Sequence, residues 1–364
     1  MQRFARTFAL MAGLTLIAAP LALAQEPPAV AKAQGAAKET LKALIAAAAK
    51  EGEVSYLDTV MQPPTNDALT AAFRKAYGLP NSFKVSFLQM APAQIITRFE
   101  QEMRAGRTTI DIGSVGSPPW AFAKAKEGQF MQYDSPEYAA YGRAFELKLA
   151  KKGYFGFNGA YYFAPMWNVE TLKFDGASWT DIVKAAPAGR GSNGDASASD
   201  PVLMTYMGLR KKIDLKFFQD WAAMKPIFSY KSENTAARLI SGEDLIATYG
   251  MPTRVHQFNA KGAKLKIMQP NEGVVVIPQV TFILAKAPHP NAAKLFFDFM
   301  LSDEGQKILA DREVLMSGRS GFDTPHPELV STIEKTNAIP LDYEAITQAD
   351  MQKARAEWSG VFKK

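Results

Sequence analysis

The sequence predicts an α/β protein built from two domains, and three observations lead to this prediction. Between Lys38 and Gly116 the segments alternate in β-α-β-α-β order, which is typical of a parallel sheet with helices on its faces. A similar alternation of helices and strands restarts after Gly159. The chain has 364 residues, and a mature chain of about 340 residues is long enough for two domains rather than one.

The first 24 residues are typical of a cleaved signal peptide. Arg3 and Arg6 give a basic start, residues 8–22 form an uncharged apolar run, and the small residues Ala22 to Ala24 mark a cleavage site. The apolar run is shorter than the roughly 18 residues that a membrane-spanning helix needs. We therefore expect cleavage before Gln25 and a soluble protein in the periplasm. Because the sequence contains no cysteine, we expect no lipid anchor.

The charge balance does not indicate a nucleic-acid-binding protein. The sequence has 42 basic and 36 acidic residues, and removal of Arg3 and Arg6 leaves 40 against 36, a net charge of +4. Charges of both signs are interspersed along the chain, which favours solubility over binding to nucleic acid. With no disulfide available, stability must come from the hydrophobic core, for which the chain is long enough.

Residues 25–35 are rich in proline and alanine, and we expect a disordered leader there. Next come a helix ending at Gly52, a strand with Asp58 and Thr59 at its carboxyl end, and a helix ending at Gly78. A strand, a helix and a further strand then follow, in the segments "FKVSFLQM", "PAQIITRFEQEMRAG" and "TIDIGSVG".

The second region contains more predicted helices, which are "SWTDIVKAA", "PVLMTYMGLRKK", "FFQDWAAMK" and "SENTAARLISG". Its predicted strands are "EDLIATYG", "KLKIMQP" and the β-branched "VVVIPQVTFILA". Two helices separated at Ser302 follow, and the polar tail from Asp323 to Lys364 is predicted to be helical.

One segment, "GAYYFAPMWN" at Gly159 to Asn168, is unusually aromatic. In a strand, Tyr161, Phe163 and Trp167 would share one face, and Tyr162 would lie on the other. Both faces are largely apolar, so the segment is either a buried core strand or the wall of a binding site. Its residues alone leave both interpretations open.

The order of these segments resembles the periplasmic solute-binding proteins of ABC importers, in the branch that binds ferric iron, thiamine, polyamines and organophosphates. The resemblance runs from about Leu41 to Pro325 and rests on five motifs: "AAKEGEVSYLDT", "FEQEMRAGRTTIDIGSVGSP", "YYFAPMWNVETL", "SWTDIV" and "APHPNAAKLFFDFMLSDEGQKIL". It implies a two-lobed, type II fold with two hinge crossings and a ligand in the cleft between the lobes. The aromatic segment would be the first crossing and "VVVIPQVTFILA" the second.

The resemblance also implies domain boundaries and a partner. Residues 37–165 would form the first lobe, residues 166–282 the second, and residues 283–364 would return to the first lobe with the C-terminal helices. The protein would act as a monomer, without a cofactor and without nucleic acid, and would deliver its ligand to an ABC permease in the inner membrane. Tyr161 and Tyr162 would lie at the bottom of the cleft, with Trp167 in the core.

The residues favour a small organic anion of the carboxylate or phosphate type as the ligand. Ser197 and Ser199 precede a helix N-terminus, where free N–H groups and the helix dipole attract negative charge. Asp200 caps that helix. Arg319 offers a planar donor fork that suits a carboxylate or phosphate. The predicted ligand-binding residues are Thr59, Ser114, Ser117, Trp120, Tyr161, Tyr162, Ser197, Ser199, Tyr249 and Arg319.

Two other functions are alternatives. Ferric ion would be bound through Tyr249 with exogenous anions, although Gly250 stands where the resemblance implies a second tyrosine. A secreted enzyme is the third alternative, but the sequence has neither G-x-S-x-G nor H-E-x-x-H, and His289 and His326 occur in "PHP" turns. The "GRGSNG" segment does not follow a strand, so it predicts a glycine-rich turn entering a short strand rather than a dinucleotide site.

Overall fold

The structure, a computed structural model, describes residues 26–363 and contains two lobes, each built around a five-stranded sheet. The predicted signal peptide, residues 1–24, lies outside the described residues. The first lobe begins with helices α1 (Pro28–Lys32), α2 (Gly35–Glu51), α3 (Pro63–Tyr77), α4 (Pro92–Arg104), α5 (Pro118–Lys126) and α6 (Gly142–Glu146). Its strands are β1 (Glu53–Asp58), β2 (Lys84–Gln89), β3 (Ile112–Val115) and β4 (Phe155–Tyr161), and a 3-10 helix covers Pro136–Ala140.

The second lobe follows directly. Its strands are β5 (Ala164–Asn168), β6 (Gly191–Gly194), β7 (Ile227–Ser229), β8 (Ile246–Gly250) and β9 (Leu265–Ile267). Its helices are α7 (Asp200–Leu209), α8 (Leu215–Ala223), α9 (Ser232–Ser241) and α10 (Pro252–Asn259), with a 3-10 helix at Trp179–Lys184. The chain then continues through β10 (Ile277–Ile283), α11 (Pro290–Leu301), α12 (Asp303–Glu313) and α13 (Gln348–Phe362).

The two sheets have the same plan. The first has the order β2-β1-β3-β10-β4, with β1 parallel to both neighbours and β10 antiparallel to β3 and β4. The second has the order β7-β6-β8-β5-β9, with β6 parallel to both neighbours and β5 antiparallel to β8 and β9. The predicted α/β class and two-lobed fold are confirmed. The "GRGSNG" segment does enter a short strand, β6.

The chain first passes between the lobes within the aromatic segment. β4 lies in the first sheet and β5 in the second, so residues 162–163 form the first crossing. The second crossing lies between β9, in the second sheet, and β10, in the first. β10 already pairs in the first sheet from Ile277, six residues before the predicted boundary at residue 283.

The C-terminal region differs from the prediction, because the chain crosses the hinge a third time. α11 and α12 pack on the first lobe, but α13 packs on α7 and α8 of the second lobe. The reason is an aromatic face on α13: the buried Trp358 lies 5.3 Å from the ring of Phe228 and 5.1 Å from that of Phe362. Residues 314–347 run without a helix between α12 and α13, so the helical prediction for the tail from Asp323 is wrong for residues 323–347.

The predicted disordered leader is also wrong over its described part. Residues 28–32 form α1, which packs on α3, and the side chain of Val30 is only 1% exposed. Glu26 pairs with Lys38 of α2 at 2.7 Å. An apolar side chain that fits the first lobe therefore overrides the proline- and alanine-rich composition of this segment.

Candidate functional site

A cleft of about 550 Å³ opens between the lobes. Residues 59–60, 89–92 and 94 line it from the first lobe, and Tyr161 and Phe163 line it at the first crossing. From the second lobe it is lined by Ser199, Pro201, residues 230–234, Tyr249, Met251 and Arg254. Both its volume and its place between two domains are typical of a small-molecule site.

The aromatic segment forms the floor of the cleft. The ring of Phe163 lies 5.6 Å from that of Tyr161 and 4.4 Å from that of Tyr249 on β8. A side chain at Gly116 would come within 2.3 Å of the Tyr161 hydroxyl, so glycine is needed there for the ring to fit. Tyr161 and Phe163 share one side of the chain, as the alternation predicted.

Tyr162 points away from the cleft. Its hydroxyl donates to the carbonyl oxygen of Leu329 at 2.7 Å and accepts from Nε2 of Gln269 at 2.6 Å. Leu329 belongs to residues 314–347, the third passage of the chain between the lobes. Tyr162 therefore ties the third passage to the back of the first crossing. Trp167 is buried, as predicted.

A buried carboxylate shapes the first-lobe wall. Asp58, at the carboxyl end of β1, accepts from the backbone N–H of Val60 at 2.6 Å and of Met61 at 2.8 Å. Gln279 donates to the Thr59 hydroxyl at 2.6 Å and also contacts Asp58. Burial raises the pKa of Asp58, although these hydrogen bonds favour its ionised form. The network fixes the turn that presents Thr59 and Val60 to the cleft.

Among the described residues, the charged side chains that line the cleft all come from the second lobe: Lys231, Glu233 and Arg254. Arg254 is only 4% exposed. Its guanidinium donates to Ser232 Oγ at 2.9 Å and to Gln257 Oε1 at 2.6 Å, and it pairs with Glu233 at 2.6 Å. With Arg254 and Glu233 paired, Lys231 leaves a net positive charge on this wall.

The N-terminal ends of several helices lie at the cleft. Four helices begin at, or one residue after, a residue that lines the cleft. These lining residues are Pro92 for α4, Ser199 for α7, Lys231 for α9 and Met251 for α10. The first N–H groups of a helix lack partners within it, and the helix dipole makes this end positive. Together with Lys231 and Arg254, these ends produce an electrostatic environment that suits an anion.

The predicted site residues divide into two groups. Thr59, Tyr161, Ser199 and Tyr249 line the cleft. Ser114, Ser117, Trp120, Tyr162, Ser197 and Arg319 do not. The structure thus brings together residues from the ends of β1 and β4, from β8 and from the start of α7, and it places the other six elsewhere.

The partners of this second group show why they lie elsewhere. Ser114 is fully buried and hydrogen-bonds to Thr281 and Tyr56, and the Trp120 indole donates to Glu100. Ser117 and Ser197 donate to Asp200 and Asp195, both at 2.5 Å. Arg319 donates to Glu137 at 2.5 Å and to the Leu301 carbonyl at 2.8 Å, which ties it to the first lobe.

Arg254 and Lys231 were missed by the sequence analysis. Arg254 lies in the first turn of α10, a helix that was not predicted, and Lys231 is the residue before α9, which was. The available signal was the "MPTRVHQFN" segment, in which Pro252 suits the first turn of a helix and places the arginine at its positive end.

A ferric site finds limited support in the side chains. Burial raises the pKa of Tyr249 to about 12 and also raises the pKa of Tyr161 well above its usual value, so neither phenolate forms readily. Within residues 26–363, no group of three or more His, Cys, Asp or Glu side chains is placed to hold a metal ion.

A serine, a histidine and an aspartate do meet in the first lobe, away from the cleft. Ser55 Oγ donates to Asp111 Oδ2 at 2.7 Å, and His289 Nδ1 lies 3.1 Å from the same oxygen. The carboxylate thus holds the hydroxyl and the imidazole separately, whereas nucleophilic catalysis needs the imidazole to activate the hydroxyl. Asp111 also accepts from the His289 backbone N–H at 2.6 Å, so the cluster fixes the "PHP" turn.

Comparisons with known proteins agree with this architecture. The chain resembles the periplasmic binding protein P5PA (20% identity, 85% of this chain and 99% of that one, TM-score 0.70). It also resembles AfuA from Actinobacillus pleuropneumoniae with exogenous fructose-6-phosphate bound (19%, 85% and 98%, TM-score 0.70). Iron-bound HitA from Pseudomonas aeruginosa is similar as well (17%, 85% and 99%, TM-score 0.67). A search of curated proteins finds no match.

Two further findings concern the family. No helix within the described residues is long and apolar enough to span a membrane. The sequence profile of the bacterial extracellular solute-binding proteins matches residues 108–346, which include the first two hinge crossings and the whole second sheet. The chain therefore belongs to the family of bacterial extracellular solute-binding proteins.

Proposed function

We propose that this protein is the solute-binding component of an ABC importer, acts in the periplasm as a monomer, and captures a small organic anion of the carboxylate or phosphate type. The cleft would close over this ligand, and the closed form would deliver it to a permease in the inner membrane. The observation that carries the proposal is the buried Arg254 beside Lys231, at a wall where helix N-termini converge.

The two walls suggest how the ligand lies. The second lobe would hold the charged group, because Lys231, Arg254 and the N-terminus of α9 are there. The first-lobe wall has no charged side chain but offers the amides of Gln89 and Gln94 and the Thr59 hydroxyl. A neutral, hydrogen-bonding body would suit this wall, and the aromatic floor would pack against its apolar face.

A thermal-shift screen tests this proposal. The panel contains citrate, 3-phosphoglycerate and fructose 6-phosphate, with glycerol and fructose as uncharged comparisons and ferric citrate as the metal arm. A ligand that binds only the folded protein raises its melting temperature by mass action. We expect an organic anion to produce a shift and its uncharged analogue to produce none. Shifts from uncharged sugars alone would contradict the proposal.

Ferric ion is a second candidate, supported by the presence of Tyr161 and Tyr249 in the same cleft. Tyr161 would supply the second phenolate that the sequence around Tyr249 lacks. The raised pKa values of both tyrosines oppose this reading. A visible charge-transfer band with ferric citrate, lost in Tyr249→Phe, would favour iron over the organic anion.

A further inference from the structure

A hydrogen bond links the two lobes beside the cleft. Ser117, which follows β3 in the first lobe and precedes α5, donates from Oγ to Oδ2 of Asp200 at 2.5 Å. Asp200 is the first residue of α7 in the second lobe, and its chain neighbours Ser199 and Pro201 both line the cleft. The two lobes are therefore in direct contact at this point beside the cleft.

Asp200 presents an electrostatic problem for an anion site. An unpaired carboxylate next to the cleft would repel an anionic ligand and would oppose the positive end of α7. Its charge is compensated by Arg355, whose Nη2 pairs with Oδ1. Nη1 of the same arginine donates to the carbonyl oxygens of Ala196 at 2.7 Å and Ser197 at 3.2 Å. One guanidinium thus holds both the carboxylate and the loop before it.

A second cation of the same region holds the other end of this loop, residues 195–200. Lys363 Nζ lies 2.8 Å from Asp195 Oδ2 and 2.8 Å from Ser197 Oγ. Asp195 in turn accepts from the Ser197 backbone N–H at 2.8 Å. The loop therefore borders the cleft at Ser199 and is held by two basic side chains, Arg355 of α13 and Lys363 at the C-terminal end of α13.

The helix that carries Arg355 is itself fixed on the second lobe. Trp358 is buried against Phe228, and Glu357 accepts from Tyr206 at 2.5 Å and from Arg210 at 2.9 Å. Tyr206 and Arg210 belong to α7 and its C-terminal end. Arg355 thus has a defined position relative to Asp200, and a long flexible side chain is held at both its donor ends.

We propose that Arg355 is a positioning residue for the cleft: it neutralises Asp200 and holds it where it accepts the hydrogen bond from Ser117 of the first lobe. The C-terminal helix α13 would then be part of the binding apparatus, although none of its residues lines the cleft. The effect on anion affinity rests on the proposed function. The effect on contact between the lobes does not.

Hydrogen exchange of the ligand-free protein tests the contact between the lobes. We expect Arg355→Gln to speed exchange roughly tenfold, both in residues 195–205 and across the cleft in residues 112–122, because a charge-assisted contact is lost. Arg210→Gln is the matched control, since Arg210 contacts α13 through Glu357 but does not touch the loop. It should leave residues 112–122 unchanged. Unchanged exchange there in Arg355→Gln would overturn the inference.

Citrate affinity, measured by calorimetry, tests the electrostatic part. Arg355→Gln should weaken citrate roughly tenfold, and adding Asp200→Asn should restore the affinity to within about threefold, since the uncompensated charge is then removed. A merely structural role for Arg355 would show no such rescue, and failure of the rescue overturns this part. If citrate does not bind the unmodified protein, the proposed ligand class is in doubt, and the exchange measurement still decides the inference.

Discussion

The two lobes have the same sheet plan but face the cleft with different chemistry. The first-lobe wall is neutral and is shaped by a turn around the buried Asp58. The second-lobe wall carries Lys231, Glu233 and Arg254 and is supported from behind by α13. The two similar lobes therefore present different surfaces to the cleft. The wall of the first lobe has no charged side chain, and the wall of the second lobe carries the charged side chains.

The largest expected effect is a loss of stability when the turn that forms the first-lobe wall loses the buried carboxylate of Asp58. Asp58→Ala leaves the buried N–H groups of Val60 and Met61 without their acceptor. We expect the free energy of unfolding to fall by about 3 kcal/mol. Asp58→Asn should cost less, because its amide oxygen still accepts from both groups. Urea unfolding followed by tryptophan fluorescence measures both variants, and an alanine variant as stable as the unmodified protein would show that the turn does not depend on Asp58.

Removal of charge from the second lobe should abolish most of the anion affinity. Arg254→Gln removes the buried guanidinium and leaves Glu233 unpaired at the cleft wall. A loss of roughly a hundredfold in affinity is expected for any anion that binds in the screen. Arg319→Gln is the control, because Arg319 pairs with Glu137 on the first lobe and should change affinity less than about twofold. Equal losses in both variants would contradict the division between the lobes.

The stability of the protein should depend on pH through a buried carboxyl group in the first lobe. Burial raises the pKa of Asp298, in the first lobe, from 3.8 to about 7. The folded state then holds a proton that the unfolded chain releases, so the free energy of unfolding should decrease as pH rises from about 4 through about 7. We expect a loss of about 1–3 kcal/mol, which Asp298→Asn should largely remove. Urea unfolding at pH 5 and pH 8 measures this, and greater stability at pH 8 would contradict it.

The smallest expected effect concerns the floor that both lobes share. Tyr249→Phe keeps the ring that packs against Phe163 at 4.4 Å and removes only the hydroxyl. For an organic anion we expect affinity to stay within about threefold, since a neutral hydrogen bond contributes little. Calorimetry with the best anion of the screen measures the change. A loss above tenfold would assign Tyr249 a direct role in holding the ligand's charge.

The fold was predictable because it depends on periodic patterns. The alternation along "GAYYFAPMWN" correctly separates Tyr161 and Phe163 from Tyr162, since side chains alternate along an extended chain whatever surrounds it. The segment is both part of the buried core and part of the wall of the cleft. Phe163 is a buried residue and also part of the cleft floor.

The site was less predictable, because a polar side chain can be used by a partner distant in sequence. Arg319 has the chemistry of an anion ligand, but Glu137, 182 positions away, already occupies it. Ser117 faces Asp200 rather than the ligand. Arg254 also has side-chain partners, among them Glu233 at 2.6 Å, but it lines the cleft, and it was missed because its helix is too short to show a clear period. Local sequence shows what a side chain can do, and the tertiary fold decides which partner it meets.

The third passage of the chain has a mechanical consequence. Behind the first crossing, Tyr162 donates to the Leu329 carbonyl at 2.7 Å, and Tyr343 donates to the Val276 carbonyl at 2.6 Å. Two crossings alone would let the lobes twist as well as bend, but a third segment hydrogen-bonded to both crossings resists torsion. Fewer relative orientations of the lobes are then explored before closure, so less conformational entropy is lost on capture of a ligand. Residues that no ligand touches would in this way raise its affinity.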